Sequence, residues 1–537
     1  MSELAIVKAS LRRYWPVLLA TAVLIPHALL FDFVNDDAYI SFRFARNLAE
    51  RGELVFNPGE RVEGFTNFLW TVLLAGGIKL GVSPVIASRF LGVVFGIATL
   101  AVAVRLSLRL DGERSSPWHA VAPLGLATLG AFACWCTGGL ETQLFTFLAL
   151  LGFERLLAEI ASGRGFASGI AFALAAMTRP EGLFFFGLAG LYRLGRNLRL
   201  ERRLLPKAQE VVWVLAFLTA FVPYFAWRWR YYGWPFPNTF YVKSSGVPGT
   251  AELGLYYLRR FAEDYGILFL VLLVLAGWPP ATDRRRRDLF ALSALVSVAF
   301  TLYVLKVGGD FMGLYRFILP VLPLGAVCVQ EAARTLYRRL STFVLRPALA
   351  MAGIAGAVAF LVSSWSVSVQ ATRISSDRGI DSPGYLKDYV AQRIPVGIWL
   401  SKNARPGQLA SVGGAGVIPY YSGMRSFDCY GLVDETIAHD ERMTTGNPRP
   451  GHSKWVADWY LFSRKPDIIT HVYCLNRRCK DNEAHWRANG YEWVTANIPG
   501  LPPPSLYSFL KRTDRSFGPF PANLPPPADP PPPSPPD

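Results

Sequence analysis

The chain has 537 residues, of which 52% are hydrophobic, and a formal net charge of +16. The apolar residues form long runs rather than alternating patterns, so the composition excludes a soluble globular protein of this size. The positive charge does not indicate a nucleic-acid partner, because the basic residues lie in short clusters beside apolar runs, where they orient membrane helices. We therefore expect a membrane protein.

The apolar runs before residue 372 predict a transmembrane module over residues 1–371, with about eleven spans of roughly 20 residues each. The first run, residues 14–31, follows a basic N-terminal segment, and no small-residue cleavage site comes after it. We interpret it as an uncleaved first span rather than a signal peptide. The positive-inside tendency then places the N-terminus on the cytoplasmic side of a bacterial inner membrane.

The stretch 66–80 is apolar but shorter than a typical span, and it leaves two topologies open. If it crosses the membrane, almost every later basic cluster is translocated, which the positive-inside tendency disfavours. If it lies in the interface, the second span is 85–106 and the first periplasmic loop covers residues 32–83. We prefer this second topology. Its later periplasmic loops fall at residues 137–141, 178–181, 231–243 and 306–316.

Residues 372–516 contain no further run of spanning length and predict a periplasmic α/β domain. A helix is expected near 385–402, and strand-like runs are expected at 408–418 and 467–473. The glycines at 413–416 predict a tight turn, since the full spacing of a nucleotide-binding loop is missing. We interpret the domain as an acceptor-binding or lid module.

Two smaller features complete the C-terminal part. A periplasmic location permits a disulfide between Cys474 and Cys479, although spacing alone does not settle the connectivity. Residues 517–537 are rich in proline and predict an extended, flexible tail that cannot form a packed core.

The first periplasmic loop contains the acidic pair Asp36 and Asp37 at the predicted start of an amphipathic helix. Carboxylates at this position can cap free backbone N–H groups. Capping needs only one of them. A sugar-transfer site needs a carboxylate that deprotonates an acceptor hydroxyl, and a second can orient it or help to hold a divalent cation such as Mg²⁺ or Mn²⁺. We predict that at least one is catalytic, and the pair is the candidate metal site.

The same loop contains further polar candidates. Arg43 and Arg46 lie three residues apart, on neighbouring positions of one helix face. They either contact lipid headgroups or bind the phosphate of a lipid-linked donor. Glu63 and Asn67 end the loop and are candidates for binding sugar or acceptor hydroxyls.

The sequence of this loop resembles that of the GT-C superfamily of polyprenyl-phosphate-sugar glycosyltransferases. It reads Asp-Asp-Ala-Tyr-Ile-Ser-Phe-Arg at 36–43 and Phe-Asn-Pro-Gly-Glu-Arg-Val-Glu-Gly-Phe-Thr-Asn at 56–67. The motifs are most similar to those of the terminal β-(1→2)-arabinofuranosyltransferases of mycobacterial arabinan assembly and their bacterial relatives. Further matches are Gly-Leu-Glu-Thr at 139–142, Thr-Arg-Pro-Glu-Gly at 178–182, Tyr-Tyr-Gly-Trp-Pro-Phe-Pro-Asn-Thr-Phe-Tyr-Val-Lys at 231–243 and Gly-Gly-Asp-Phe-Met-Gly-Leu-Tyr-Arg at 308–316.

The resemblance covers most of the membrane module and implies a polytopic α-helical fold whose external loops form the site. It implies that an acidic residue of the first loop, Asp36 or Asp37, is the base. The expected partners are a polyprenyl-phosphate sugar donor, a cell-envelope polysaccharide acceptor and membrane lipids, with neither nucleotide nor nucleic acid. Arabinofuranose is the preferred sugar. Trp234 and Phe236 depart from the pattern, so mannose or another hexose stays an alternative.

The later loops can be interpreted without the resemblance. Transfer from a lipid phosphate leaves an anion, so the site must supply cationic or N–H donors. Arg179, Lys243 and Arg316 are the candidates. The alternative for two of them is an ion pair with a neighbour, Arg179 with Glu181 and Arg316 with Asp310.

The remaining polar residues of these loops are candidates for sugar or acceptor binding. Glu141 and Asp310 follow glycine-rich turns and could instead cap helices, and Asn238 could instead be a turn residue. Glu181 completes the set. A competing hypothesis is a transporter of lipid-linked sugars, which predicts charges buried within the spans and repeated halves.

Overall fold

The computed structural model describes residues 3–243, 247–341 and 346–523. The helices of its N-terminal part are α1 (Glu3–Phe31), α2 (Asp36–Arg51), α3 (Phe68–Lys79), α4 (Pro84–Leu110), α5 (Val121–Thr128), α6 (Gly130–Cys134), α7 (Thr142–Ser162), α8 (Ala167–Thr178), α9 (Glu181–Glu201), α10 (Ala208–Tyr232), α11 (Asn238–Lys243), α12 (Thr250–Asp264), α13 (Ile267–Ala276), α14 (Arg284–Val307), α15 (Leu322–Leu340) and α16 (Arg346–Ala371). Short 3-10 helices cover Pro117–Ala120 and Arg316–Val321.

Long apolar helices dominate this part. Among the described residues, six helical segments are long and apolar enough to cross a membrane: Arg13–Phe31, Pro84–Leu110, Ala208–Tyr232, Arg284–Val307, Arg316–Leu340 and Arg346–Ala371. The chain is thus a multi-pass membrane protein. The other predicted spans coincide with helices that are shorter or less apolar. The total of about eleven spans and the side on which each terminus lies stay predictions.

The ambiguous stretch 66–80 forms the short helix α3. Its 12 residues rise about 18 Å at 1.5 Å per residue, which is well below the roughly 30 Å of a bilayer core. Its Trp70 is fully buried and donates from Nε1 to the carbonyl of Gly139 at 3.2 Å. The helix therefore joins the first loop to the loop before α7.

The C-terminal part is an α/β domain, as predicted. Its helices are α17 (Pro383–Asn403), α18 (Val417–Ser422), α19 (Glu435–His439), α20 (Asp458–Ser463) and α21 (Glu483–Ala488), with a 3-10 turn at Glu441–Met443. Its strands are β1 (Ser376–Asp377), β2 (Ile380–Asp381), β3 (Leu409–Val412), β4 (Arg425–Asp428), β5 (Ile468–Leu475), β6 (Tyr491–Asn497) and β7 (Leu506–Arg512).

The main sheet has the order β4-β3-β5-β7-β6. Strand β3 pairs in parallel with β4 and β5, and the β5, β7 and β6 edge is antiparallel. Strand β3 is shorter than the predicted run 408–418, because the glycines after Val412 end it and α18 follows. This loop at the carboxyl end of a parallel strand points toward the membrane module.

Two further observations concern the predicted disulfide and the predicted end of the domain. The structure joins Cys474 and Cys479 in a disulfide, which is the predicted pairing. Phe517 is 1% exposed within the domain core, and Phe520 packs beside it. The folded domain therefore extends past the predicted end at residue 516, and most of the predicted tail, residues 524–537, lies outside the described residues.

Candidate active site

The site is organised by the start of helix α2. Asn35 is the N-cap residue, and its side-chain oxygen accepts a hydrogen bond from the Asp37 amide at 2.8 Å. Neither Asp36 nor Asp37 caps the helix, so the capping alternative for this pair is wrong. Both carboxylates are free for other partners, and they point to different ones.

Asp36 contacts the C-terminal domain. Its Oδ1 accepts a hydrogen bond from the amide of Val417, the first residue of α18, at 2.9 Å. The glycines at 413–416 make this approach possible, because a Cβ on Gly416 would lie 2.0 Å from the Asp36 carbonyl oxygen. A Cβ on Gly414 would lie 2.8 Å from Asp36 Oδ2. The predicted glycine turn is therefore a close-packing surface between the two domains.

A small cavity of about 30 Å³ lies beside Asp36 and is lined by Tyr389, Arg393, Gly414 and Tyr473, among others. Burial raises the pKa of Asp36 to about 6, and the charge of Asp37 adds to the shift. The hydrogen bond from Val417 and the charge of Arg393 oppose it. Asp36 thus belongs to a buried junction between domains.

Asp37 faces the membrane module instead. The charged groups that act on it are Lys243, Arg316, Asp310 and Glu141. Burial raises the pKa of Asp37, while the two cations limit the rise. Its carboxylate accepts no hydrogen bond from any described residue, so it is the acid of the pair that is available to a substrate.

The two cations beside Asp37 have unused donors. Arg316 is 6% exposed, and its Nε donates to Asp310 at 2.7 Å, which is the predicted ion pair. Its two Nη groups have no hydrogen-bond partner among the described residues. Lys243, at the end of α11, forms no ion pair with a described carboxylate and keeps an exposed surface. Desolvation lowers the pKa of Lys243, an effect that Asp37 opposes.

The third predicted phosphate ligand, Arg179, contacts a carboxylate with each of its three guanidinium nitrogens. Arg179 bridges two carboxylates, with Nη1 on Glu141 at 2.7 Å and Nη2 on Glu181 at 2.8 Å, and its Nε also contacts Glu181. Asn67 donates to the other oxygen of Glu141 at 2.8 Å. Burial would raise the pKa of Glu141, but Arg179 and Arg316 hold it below its usual value. This chain of ion pairs fixes the wall of the site.

Arg43 and Arg46 lie on the domain-facing side of α2, away from the Asp37 cluster. Arg43 is 5% exposed and donates to the carbonyls of Phe56, Pro419 and Met424 and to the side chain of Asn57. Arg46 lies 3.7 Å from the centre of the Tyr420 ring and donates to the Tyr420 carbonyl. Arg43 donates only to protein acceptors, so its predicted phosphate contact is not supported. Arg46 uses one nitrogen on the Tyr420 carbonyl, and its phosphate contact stays a prediction.

Glu63 and Asn238 also have structural roles. Glu63 is buried and forms a two-contact ion pair with Arg228 at 2.9 Å. The Asn238 amide donates to the Glu63 carbonyl, and its side chain contacts the Gly431 carbonyl at 3.4 Å. These residues tie the first loop to the segment after α10. Neither side chain is open to a sugar in this arrangement, so the predicted sugar contacts are not supported.

The acidic pair does not form a ligand set for a metal ion. Asp36 Oδ1 is held by a backbone amide, and Asp37 faces two cations that would repel a divalent ion. Among the described residues, the one group of three potential ligands whose atoms lie within 4.8 Å of one another is Cys474, Cys479 and Asp481, and its two cysteines are joined in the disulfide. A requirement for a divalent cation stays a prediction.

Several residues of the site were missed by the sequence analysis. Tyr389 and Arg393 on α17 complete the cavity around Asp36. One available signal was the spacing of Asp36, Tyr39, Arg43 and Arg46, which places all four on one stripe of α2. That pattern is typical of a helix face that packs on another element, and here the element is α18.

The architecture matches solved structures of membrane glycosyltransferases. ArnT from Cupriavidus metallidurans, solved with undecaprenyl phosphate, superposes with a TM-score of 0.53 at 14% identity, covering 77% of this chain and 85% of that one. The Archaeoglobus fulgidus oligosaccharyltransferase superposes with a TM-score of 0.51 at 11% identity, covering 76% and 62%. At these identities the likeness concerns the fold, which is the predicted GT-C class.

Two relatives that are similar in sequence share one name. The terminal β-(1→2)-arabinofuranosyltransferase of Corynebacterium glutamicum is 28% identical over 353 residues, which is 56% of this chain and 49% of the relative. The protein of the same name from Mycobacterium tuberculosis is 28% identical over 400 residues, 65% and 61%. The resemblance stated from the motifs is thus confirmed, although the chain spans only about half to three fifths of these relatives. Residues 385–515 match a domain family of unknown function, DUF8728.

Proposed function

We propose that this protein is a glycosyltransferase that moves a sugar from a polyprenyl-phosphate donor to a cell-envelope glycan on the periplasmic side of the membrane. The observation that carries the proposal is the Asp37 cluster. It combines a carboxylate without a hydrogen-bond partner among the described residues with two cations, Lys243 and Arg316, that keep unused donors.

The cluster suits an attack at the anomeric carbon of the donor. An acceptor hydroxyl attacks that carbon, its proton passes to the Asp37 carboxylate, and the bond from the anomeric carbon to the phosphate oxygen breaks with its electron pair. Polyprenyl phosphate leaves. A raised pKa improves a carboxylate as a base, since a base is most effective when its pKa approaches the working pH.

Lys243 and Arg316 suit the departing phosphate. Negative charge grows on its oxygens as the sugar leaves, and cations that are already in place stabilise that charge without further reorganisation. Asp310 holds Arg316 in position through the contact at 2.7 Å. The ion pairs of Arg179 with Glu141 and Glu181 support the wall beside these cations.

Arabinofuranose is the sugar that the named relatives favour. Mannose is the second candidate, because Trp234 and Phe236 depart from the expected motif. A compartment without nucleotide sugars requires a donor that is activated on a lipid. Polyprenyl phosphate can carry either sugar in this way.

The test is transfer of labelled sugar by the purified full-length protein. Polyprenyl-phospho-arabinofuranose and polyprenyl-phospho-mannose are supplied separately with oligosaccharide acceptors, with and without EDTA. We expect transfer from the arabinofuranose donor, its loss in Asp37→Asn, and weaker donor binding in Lys243→Gln. Asp36→Asn is the matched control. Binding or movement of the lipid-linked sugar across liposomes without any transfer would replace the enzyme by a transporter.

A further inference from the structure

The segment 444–454 of the C-terminal domain lies at the edge of the site. An isolated bridge between Thr444 and Lys454 joins the two ends of this segment. Ser453 donates from Oγ to the carbonyl of Val242 at 2.6 Å. Arg449 lies over the ring of Phe311, 5.1 Å from its centre. The loop is therefore attached to two segments of the membrane module.

His452 lies in this loop between Gly451, where an added Cβ would be 3.6 Å from Lys243 Cε, and Ser453. Its ring centre is 5.2 Å from that of Phe311 and 4.8 Å from that of Tyr430. Phe311 directly follows Asp310, which holds Arg316. The Ser453 contact reaches Val242, which directly precedes Lys243. The His452 ring thus lies beside the segment of Arg316, and its two chain neighbours contact the segment of Lys243.

The hydrogen bonds of His452 define which ring nitrogen carries the proton. Nδ1 lies 3.0 Å from the carbonyl oxygen of Pro450. A carbonyl only accepts, so Nδ1 carries the hydrogen and Nε2 presents a lone pair. Nε2 has no partner among the described residues, and the residue is only half-buried.

The surroundings keep the ring neutral. Burial and the neighbouring Arg449 charge lower the pKa of His452 to about 4, and Lys243 acts in the same direction, whereas the Pro450 carbonyl and Asp381 oppose the shift. A neutral ring with a free lone pair accepts a hydrogen bond from a hydroxyl. It does not attract a phosphate, whose oxygens also carry lone pairs.

We propose that Nε2 of His452 accepts a hydrogen bond from a hydroxyl of the acceptor glycan and positions that glycan beside Asp37. The inference rests on the proposed glycosyl transfer and deepens it, because it assigns acceptor recognition to the C-terminal domain. The donor phosphate is held by a separate group, Lys243 and Arg316. Removing the His452 contact should therefore change the KM for the acceptor without changing the KM for the donor.

The decisive variant is His452→Phe, tested in the full-length protein. Phenylalanine keeps a ring between Phe311 and Tyr430 but removes the nitrogen. We expect the KM for the oligosaccharide acceptor to rise about tenfold, the effect of losing one hydrogen bond, with the donor KM unchanged. His452→Gln restores a side-chain oxygen that accepts a hydrogen bond, and it should recover part of the loss.

His485→Gln is the control, because His485 is an exposed histidine of the same domain that pairs with Asp458. It should leave both KM values unchanged. An unchanged acceptor KM in His452→Phe, or an equal rise of both KM values, would overturn the assignment.

A second readout separates this inference from the proposed reaction. Calorimetry measures binding of a neutral furanose oligosaccharide to the protein without any donor. Weaker binding by His452→Phe than by the wild type supports the assignment even if no sugar is transferred. Equal binding by both proteins refutes it, whatever the outcome of the transfer assay.

Discussion

Each of two faces of helix α2 begins with an aspartate, and the two aspartates differ in what they contact. On the face toward the C-terminal domain, Asp36 and Arg43 bind backbone amides and carbonyls of that domain. On the face toward the membrane module, Asp37 accepts no hydrogen bond from a described residue and lies near Lys243, which forms no ion pair with one. The two carboxylates carry the same charge, and both are partly buried.

The difference teaches that the partners of a charged group, rather than its charge or depth, distinguish an interface from a site. A buried arginine that donates to several protein acceptors stabilises a junction, and removing it loses those hydrogen bonds. A buried cation with unused donors is available to a ligand. The predictions below test this distinction, starting from the largest expected effect.

Exchanging one acid at a time should separate the two faces most clearly. Asp37→Asn removes the base and should lower the transfer rate by about 10²–10⁴-fold, the usual contribution of general-base catalysis. Asp36→Asn keeps an oxygen that accepts from Val417 and should retain most of the activity. Initial rates at saturating donor measure both. Equal losses in the two variants would contradict the division of roles.

Removing the arginine of the junction should affect stability. Arg43→Ala removes four hydrogen bonds of a buried guanidinium, and at about 1 kcal/mol for each we expect a loss of about 4 kcal/mol in folding stability. The midpoint of thermal unfolding in detergent measures it. Arg51→Ala on the exposed end of the same helix is the control. A midpoint equal to that of the control would show that the junction does not depend on Arg43.

The carboxyl of Asp36 should make the stability of the junction depend on pH. Its pKa is raised from 3.8 to about 6, so the folded state holds the proton more tightly than the unfolded chain. The stabilisation is therefore complete below about pH 4 and is lost as the pH rises through 6. At 1.4 kcal/mol per pKa unit the loss is at most about 3 kcal/mol.

Thermal midpoints of the wild type and Asp36→Asn between pH 4 and 8 measure this effect. Other groups titrate in both proteins, so the difference between the two curves is the relevant quantity. We expect it to change across pH 4–6. Parallel curves would mean that Asp36 does not titrate in this range.

The smallest expected effect concerns Arg46. Its ring contact with Tyr420 and its single hydrogen bond are each worth about 0.5–1.5 kcal/mol. Arg46→Ala should lower the thermal midpoint less than Arg43→Ala and should leave the donor KM unchanged. A raised donor KM would support Arg46 as a phosphate ligand, which was the original prediction.

Much of the fold followed from the sequence because membrane helices obey local rules. Length, apolarity and flanking charge predicted the long helices. Flanking charge also favoured an interfacial position for residues 66–80, which form the short helix α3, and that position stays a prediction. The glycine pattern at 413–416 predicted a turn, and the two cysteines predicted the disulfide. Each of these properties depends on neighbours along the chain.

The sequence by itself determined which loops contain the candidate residues, since Glu141, Arg179, Lys243 and Arg316 stand in motifs between apolar runs. Only the tertiary structure decided which candidates hold the two domains together and which face the candidate site. Adjacent residues of α2 point about 100° apart, so Asp36 meets the C-terminal domain while Asp37 meets the membrane module. Whether a charge is paired depends on contacts between residues as distant along the chain as Arg43 and Pro419, and no local pattern encodes those contacts.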